Sequence, residues 1–310
     1  MEYSYLYYCC TTVLILSIPI FLQKSIKPLS IAFKYYVFLI GIIIYLLAML
    51  RSDGVDIPNY RYSFEEGYEF GISDPGFRYL IDIFNFFHLP LETLFFFVGC
   101  IAIIALRRVS FFFKVDQVLL FLLFFFHLFV VRDFAQLRVG LAIYFAFLGL
   151  TSKKFVKTLL YLLAISTHLT SIIFIFGYEG SSWVSKFRSL RKRLFLLIIG
   201  VISIIIVGKM ISYLSFLDWR IETYLKWDKE GYGAKVNSMG IVYLHIFLIA
   251  ITLFFRRSSI NCFFIRALLY IEVLTIVAFI SFSDYAIFAF RLSNVLSSLY
   301  PVLILLILKD

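Results

Sequence analysis

The stretch TLLYLLAISTHLTSIIFIFGYEGSSWVSKF, residues 158–187, decides how the chain is threaded. Lys153, Lys154 and Lys157 precede or open it, and Lys186, Arg188, Arg191, Lys192 and Arg193 close it. Lys and Arg collect on the cytoplasmic side of membrane proteins, so both clusters belong on one side. A single helix through the stretch would put them on opposite sides. Two short spans, rising to Thr167–His168 and returning through Ile172–Trp183, keep both inside. Such spans are tolerated where backbone packs against protein instead of lipid.

A membrane is required by the rest of the chain. Of 310 residues, 62% are hydrophobic, and the mean hydropathy is +0.96. Too few polar residues remain to cover a soluble core of that size. Apolar runs lie near 4–22, 31–50, 92–106, 117–131, 137–151, 155–184, 194–207, 238–255, 263–282 and 292–308. Each is long enough to cross a bilayer, some only just. The expected fold is all-α: a polytopic integral membrane protein of about eleven transmembrane helices, read as one transmembrane domain over 1–310. A ten-span alternative would leave the cluster after Lys186 outside. The N-terminus is expected outside and the C-terminus in the cytoplasm. The opening MEYSYLYY has no basic residue and no small-residue cleavage site, so the first run reads as a retained helix.

The formal charge of +10 sits mainly in short clusters between apolar runs, which reflects orientation and argues against nucleic acid. The four cysteines, Cys9, Cys10, Cys100 and Cys262, show no CxxC spacing, so neither a disulfide nor a metal framework is indicated. Internal repeats are absent, which weighs against transporter folds built from related halves.

This threading collects unusual polar residues on the outer face. The external loops are 51–90 and 208–237, with short turns at 132–136, His168 and 283–291. Arg51, Asp53, Asp56, Tyr60 and Asp74 fall in the first, Arg132, Gln136 and Arg138 in or beside the second, and Arg291 at the last. An arginine at membrane depth costs about 2.5–3.5 kcal/mol on insertion scales and needs a partner or a task. Snorkelling accounts for either Arg132 or Arg138 alone. It accounts poorly for both, with Gln136, on the side where arginine is disfavoured. On one helix the pair would point roughly 120° apart, so a turn before Asp133 is needed for them to grip one anion. Guanidinium forks suit phosphate.

For the proton chemistry, a loop carboxylate from Asp53, Asp56 or Asp74 is one candidate base, although Gly54 and Pro58 argue for loop over helix there. His168, between Thr167 and Thr170, is the other; it also suits donation to phosphate, and a histidine bonded between helices is the plain alternative. His127 and His245 read as intramembrane packing or polar glue. The set fits a lipid-linked pyrophosphate: phosphates against arginines, tail between helices, sugar against the acidic Tyr-rich loop.

In order and spacing, RSDGVDIPNY (51–60), the DPGF tract at Asp74–Phe77, RDFAQLRVGLAIYFAF (132–147) ahead of Lys153–Lys154, and LLAISTHLTSIIF (162–174) together resemble Wzy-type polysaccharide polymerases, specifically the EpsG-like branch of O-antigen and exopolysaccharide polymerases. The family's first motif commonly reads G-x-D-Y; here Ile57 follows Asp56 and Tyr60 comes later. The resemblance implies a fold related to GT-C-type enzymes. It implies transfer of a growing glycan from undecaprenyl diphosphate to the sugar end of another lipid-linked repeat unit. The reaction is expected at the outer face of the bacterial inner membrane, without nucleotide, cofactor or metal, with a chain-length regulator as partner. Rival readings are a flippase for lipid-linked oligosaccharides, another polyprenyl-phosphate glycosyltransferase, or a glycan O-acetyltransferase.

Overall fold

The structure is a computed structural model that describes residues 31–50, 57–65, 74–125, 137–214, 226, 238–255, 262–283 and 286–308. The first apolar run, Arg51, Asp53, Asp56, His127, Arg132 and Gln136 lie outside the described residues. Among the described residues every regular element is a helix, as expected of an all-α membrane protein. Leu91–Phe113 and Phe263–Ser281 are long and apolar enough to cross a bilayer. Large apolar side chains such as Phe155, Phe176 and Phe254 point outward, which water would penalise and lipid does not.

The chain divides into two compact units, Met1–Ile172 and Ile173–Asp310. The first contains α1 (Ile31–Met49), α2 (Ile57–Glu65), α3 (Pro75–Phe86), α4 (Leu91–Phe113), α5 (Gln117–Phe124), α6 (Leu137–Leu150) and α7 (Lys154–Thr167). Here α4 packs against α1 and α6, and α6 against α7. Glycine lets the helices close in: a Cβ at Gly149 would fall 2.6 Å from the Tyr161 ring. Edge-to-face aromatic pairs such as Tyr45–Phe121 and Phe124–Phe147 join α5 to α1 and α6.

The expected loop 51–90 carries two helices. Pro58, expected to favour a loop, sits in the first turn of α2, where its missing N–H leaves no helical bond unmade. Pro75 opens α3 in the same way. Phe77, Ile81 and Phe84 recur at helical spacing and are buried, which docks one stripe of α3. The Asn85 side-chain amide donates to the Phe64 carbonyl at 3.0 Å and ties α3 to the end of α2.

The stretch 158–187 is not one helix. It breaks between α7 and α8 (Ser171–Lys186), as the eleven-span reading requires. The Ser166 and Thr167 hydroxyls donate to the Leu163 carbonyl at 2.9 and 2.8 Å, competing with the helical ladder, and His168 turns to extended backbone.

The second unit holds α9 (Leu190–Leu214), α10 (Ser238–Phe255), α11 (Phe263–Ser281), α12 (Ala286–Leu296) and α13 (Tyr300–Leu308), with most of α8. Within it α11 packs against α9, α10, α12 and α13. Val242, Phe279, Phe282, Ala289 and Leu292 form its buried cluster. Residues 208–214, expected in a loop, continue α9 as helix. The run expected over 292–308 is interrupted by a 3-10 turn at Ser297–Leu299, just ahead of Pro301.

Candidate functional site

Three of the expected site residues meet in the first unit. Arg138, in the first turn of α6, places its Nη1 3.0 Å from Asp74 Oδ2. Its guanidinium lies 5.8 Å from the centre of the Tyr60 ring, within cation–π range. The Arg138 backbone N–H also approaches Tyr60 Oη at 3.5 Å. Tyr60 is buried, with its ring against Phe77 and Phe95. A rigid aromatic wall and a carboxylate thus hold Arg138 from two sides.

Asp74 is 3% exposed, whereas the Arg138 side chain remains 22% exposed. Asp74 stands at the N-cap of α3, where an aspartate would usually accept from the helix's own N–H groups. No such bond is made, and the carboxylate reaches Arg138 instead. Losing one partner of a pair this sheltered costs about 3–5 kcal/mol, because the other is left buried and charged.

The DPGF tract touches the His168 segment as well. A Cβ at Gly76 would lie 2.8 Å from the Ser166 carbonyl carbon and 2.9 Å from the Thr167 nitrogen. Only glycine permits that approach, and it brings the start of α3 against the end of α7. His168 follows immediately. Its Nδ1 accepts the Thr170 backbone N–H at 3.2 Å and contacts Thr170 Oγ1 at 2.7 Å. A backbone N–H only donates, so Nδ1 is the unprotonated nitrogen, and the neutral ring carries its proton on Nε2. His168 therefore presents a donor at Nε2.

Arg291 lies in α12 of the second unit. Among the described residues no group of three or more His, Cys, Asp and Glu could hold a metal ion. One polar pair escaped the sequence reading. His245 of α10, assigned only as packing or polar glue, bonds through Nδ1 to Glu272 Oε2 of α11. Both are almost fully buried, at 2% and 1% exposure. The signal was present, since Glu272 is the single acid in the apolar run FFIRALLYIEVLTIVAFIS.

Residues 34–310 match the EpsG family. The protein belongs to the EpsG family. Membership places the chain among membrane proteins of the exopolysaccharide-polymerase type. No curated protein and no solved structure matches it.

Proposed function

We propose that this EpsG-family protein is a polysaccharide polymerase that acts at the outer face of the bacterial inner membrane. It transfers a growing glycan from undecaprenyl diphosphate to the sugar end of another lipid-linked repeat unit, in O-antigen, capsule or exopolysaccharide synthesis. What carries this reading is Arg138, clamped by Asp74 and Tyr60, beside the backbone that leads into His168.

An acceptor hydroxyl attacks the anomeric carbon as its bond to the pyrophosphate oxygen breaks. Negative charge grows on the departing undecaprenyl diphosphate, and donors fixed in advance stabilise it without reorganising. Arg138 is such a donor, and the sequence pattern makes Arg132 and Arg291 further candidates for the phosphates. His168, with its proton on Nε2, donates to the same phosphates. The proton of the acceptor hydroxyl then passes to a carboxylate of the first loop, Asp53 or Asp56. Asp74 is a positioning residue, because its carboxylate already serves Arg138.

The test supplies purified protein with a single lipid-linked repeat unit and no nucleotide. A ladder of longer products supports the assignment. Release of nothing longer than the input overturns it, and transbilayer movement of the unit without elongation would establish the flippase reading.

A further inference from the structure

In the second unit, α8 ends and α9 begins in a dense basic cluster: Lys186, Arg188, Arg191, Lys192 and Arg193. The fold adds a cation from a distant part of the sequence. Arg266, in the first turn of α11, donates through Nη2 to the Ser185 carbonyl at 3.3 Å. The start of α11 therefore lies level with the α8–α9 junction. Above that level α9 and α11 run alongside each other, with Leu274 3.7 Å from a Cβ built on Gly200. Among the described residues no acid pairs with any of these six cations. Moreover, Arg193 Nε and Arg266 Nε are buried donors with no hydrogen-bond acceptor.

Directly above the cations, α8, α9 and α11 leave an apolar groove of about 280 Å³, bordered by Gly177, Gly180, Trp183, Leu197, Gly200 and Leu274. The glycines supply its depth; a Cβ on Gly180 would meet nothing within 4 Å. Trp183 is 52% exposed and packs edge-on against Phe187 at 4.9 Å, the placement of a headgroup-level anchor. The α9 N-terminus adds its own positive end to the cationic rim. One molecule matches an apolar slot, walled by Val184, Leu197 and Tyr270, with a cationic cluster about one helical turn beyond them in sequence: an amphiphile with acyl chains and an anionic head.

We propose that the α8–α9–α11 groove is a binding site for an anionic two-chain phospholipid of the bilayer. Its phosphate would sit against Arg193 and Arg266, with Lys186 at the rim, and an acyl chain would fill the groove past Gly180 and Gly200. The positive-inside rule assigns this level to the cytoplasmic leaflet, where anionic headgroups are drawn to such clusters. The site is independent of the transferase reading, since it uses none of the residues placed around Arg138.

Native mass spectrometry of the full chain in mild detergent tests this directly, with equal amounts of dioleoyl phosphatidylglycerol, dioleoyl phosphatidylcholine and farnesyl phosphate. Wild type should retain phosphatidylglycerol over phosphatidylcholine. Arg193→Gln and Arg266→Gln should each lower that retention about fivefold, and the Arg193→Lys/Arg266→Lys double variant should keep it. Gly180→Leu, whose Cβ would meet nothing within 4 Å, directs an apolar side chain into the groove and should lower retention with every cation in place. Equal retention of the two phospholipids by wild type overturns the proposal, as does displacement of phosphatidylglycerol by farnesyl phosphate. Unchanged retention in a monodisperse Arg193→Gln/Arg266→Gln double variant would do the same. Should that variant not elute as one species, Gly180→Leu and the wild-type competition decide.

Discussion

Asp74 and Arg138, 64 residues apart in sequence, form a sheltered ion pair at 3.0 Å in which the acid is buried and the guanidinium keeps partial access. That asymmetry supports the proposed roles, Arg138 as phosphate donor and Asp74 as its positioning partner. A proton acceptor must reach the acceptor sugar, whereas Asp74 has its carboxylate turned to Arg138. Arg138→Ala should slow chain elongation about 10²–10³-fold, the range for removing one preorganised oxyanion donor. Asp74→Ala should also slow it, and the double variant should be no slower than Arg138→Ala alone. Rates from the ladder assay decide, because a general base at Asp74 would make the two losses multiply.

Tyr60 contributes its ring more than its hydroxyl, since the contact at Oη is 3.5 Å and the guanidinium lies 5.8 Å from the ring centre. Tyr60→Phe should therefore leave elongation within about threefold of wild type, given net hydrogen-bond worths near 1 kcal/mol. Tyr60→Leu should raise KM for the lipid-linked unit more than it lowers kcat. Steady-state titration of the substrate separates the two.

These contacts show what periodicity and motif order can and cannot convey. Hydropathy alone outlines the helices, because the bilayer demands long apolar runs with satisfied backbones. The break at His168 was legible from charge bookkeeping, since basic clusters stood on both sides of one stretch. Partner choice was not. Asp74 and Arg138 were both singled out, yet no spacing rule couples residues from two distant segments. Glu272 was missed for a similar reason: a lone acid announces a need for a partner without naming His245. Pro58 misled because a proline reads as a breaker, although a helix's first turn accepts it.

His168 has its Nδ1 committed to Thr170, so the reaction should depend on a proton held at Nε2. Glutamine can offer an amide N–H near that position, and alanine cannot. His168→Gln should retain elongation at about tenfold or more above His168→Ala. Equal loss in both variants would argue for proton abstraction by the imidazole.

Gly76 and Gly180 make an opposed pair. A methyl on Gly76 meets backbone at 2.8 and 2.9 Å, and backbone cannot rotate away as a side chain would. Gly76→Ala should push α3 off α7, at about 1–3 kcal/mol, and impair elongation through the displaced Asp74. Gly180→Ala meets open space and removes a flexible residue from α8, so it should stabilise by about 0.5–1 kcal/mol. Thermal unfolding in detergent, followed by intrinsic fluorescence, should place the two variants on opposite sides of wild type.

The His245–Glu272 pair joins α10 to α11 where neither residue meets solvent. A polar pair in such a place holds two spans in one register, at the expense of desolvating both groups. Removing one partner strands the other, so His245→Ala or Glu272→Ala should each destabilise by about 3–5 kcal/mol. Replacing both with apolar residues of similar volume, as His245→Phe with Glu272→Leu, strands nothing and should recover most of that loss. The measurement is a double-mutant cycle in unfolding free energy. Recovery in the double variant marks the pair as a structural latch between the spans. Failure to recover while the fold persists, together with lost elongation in Glu272→Gln, would mark it as a group the reaction uses.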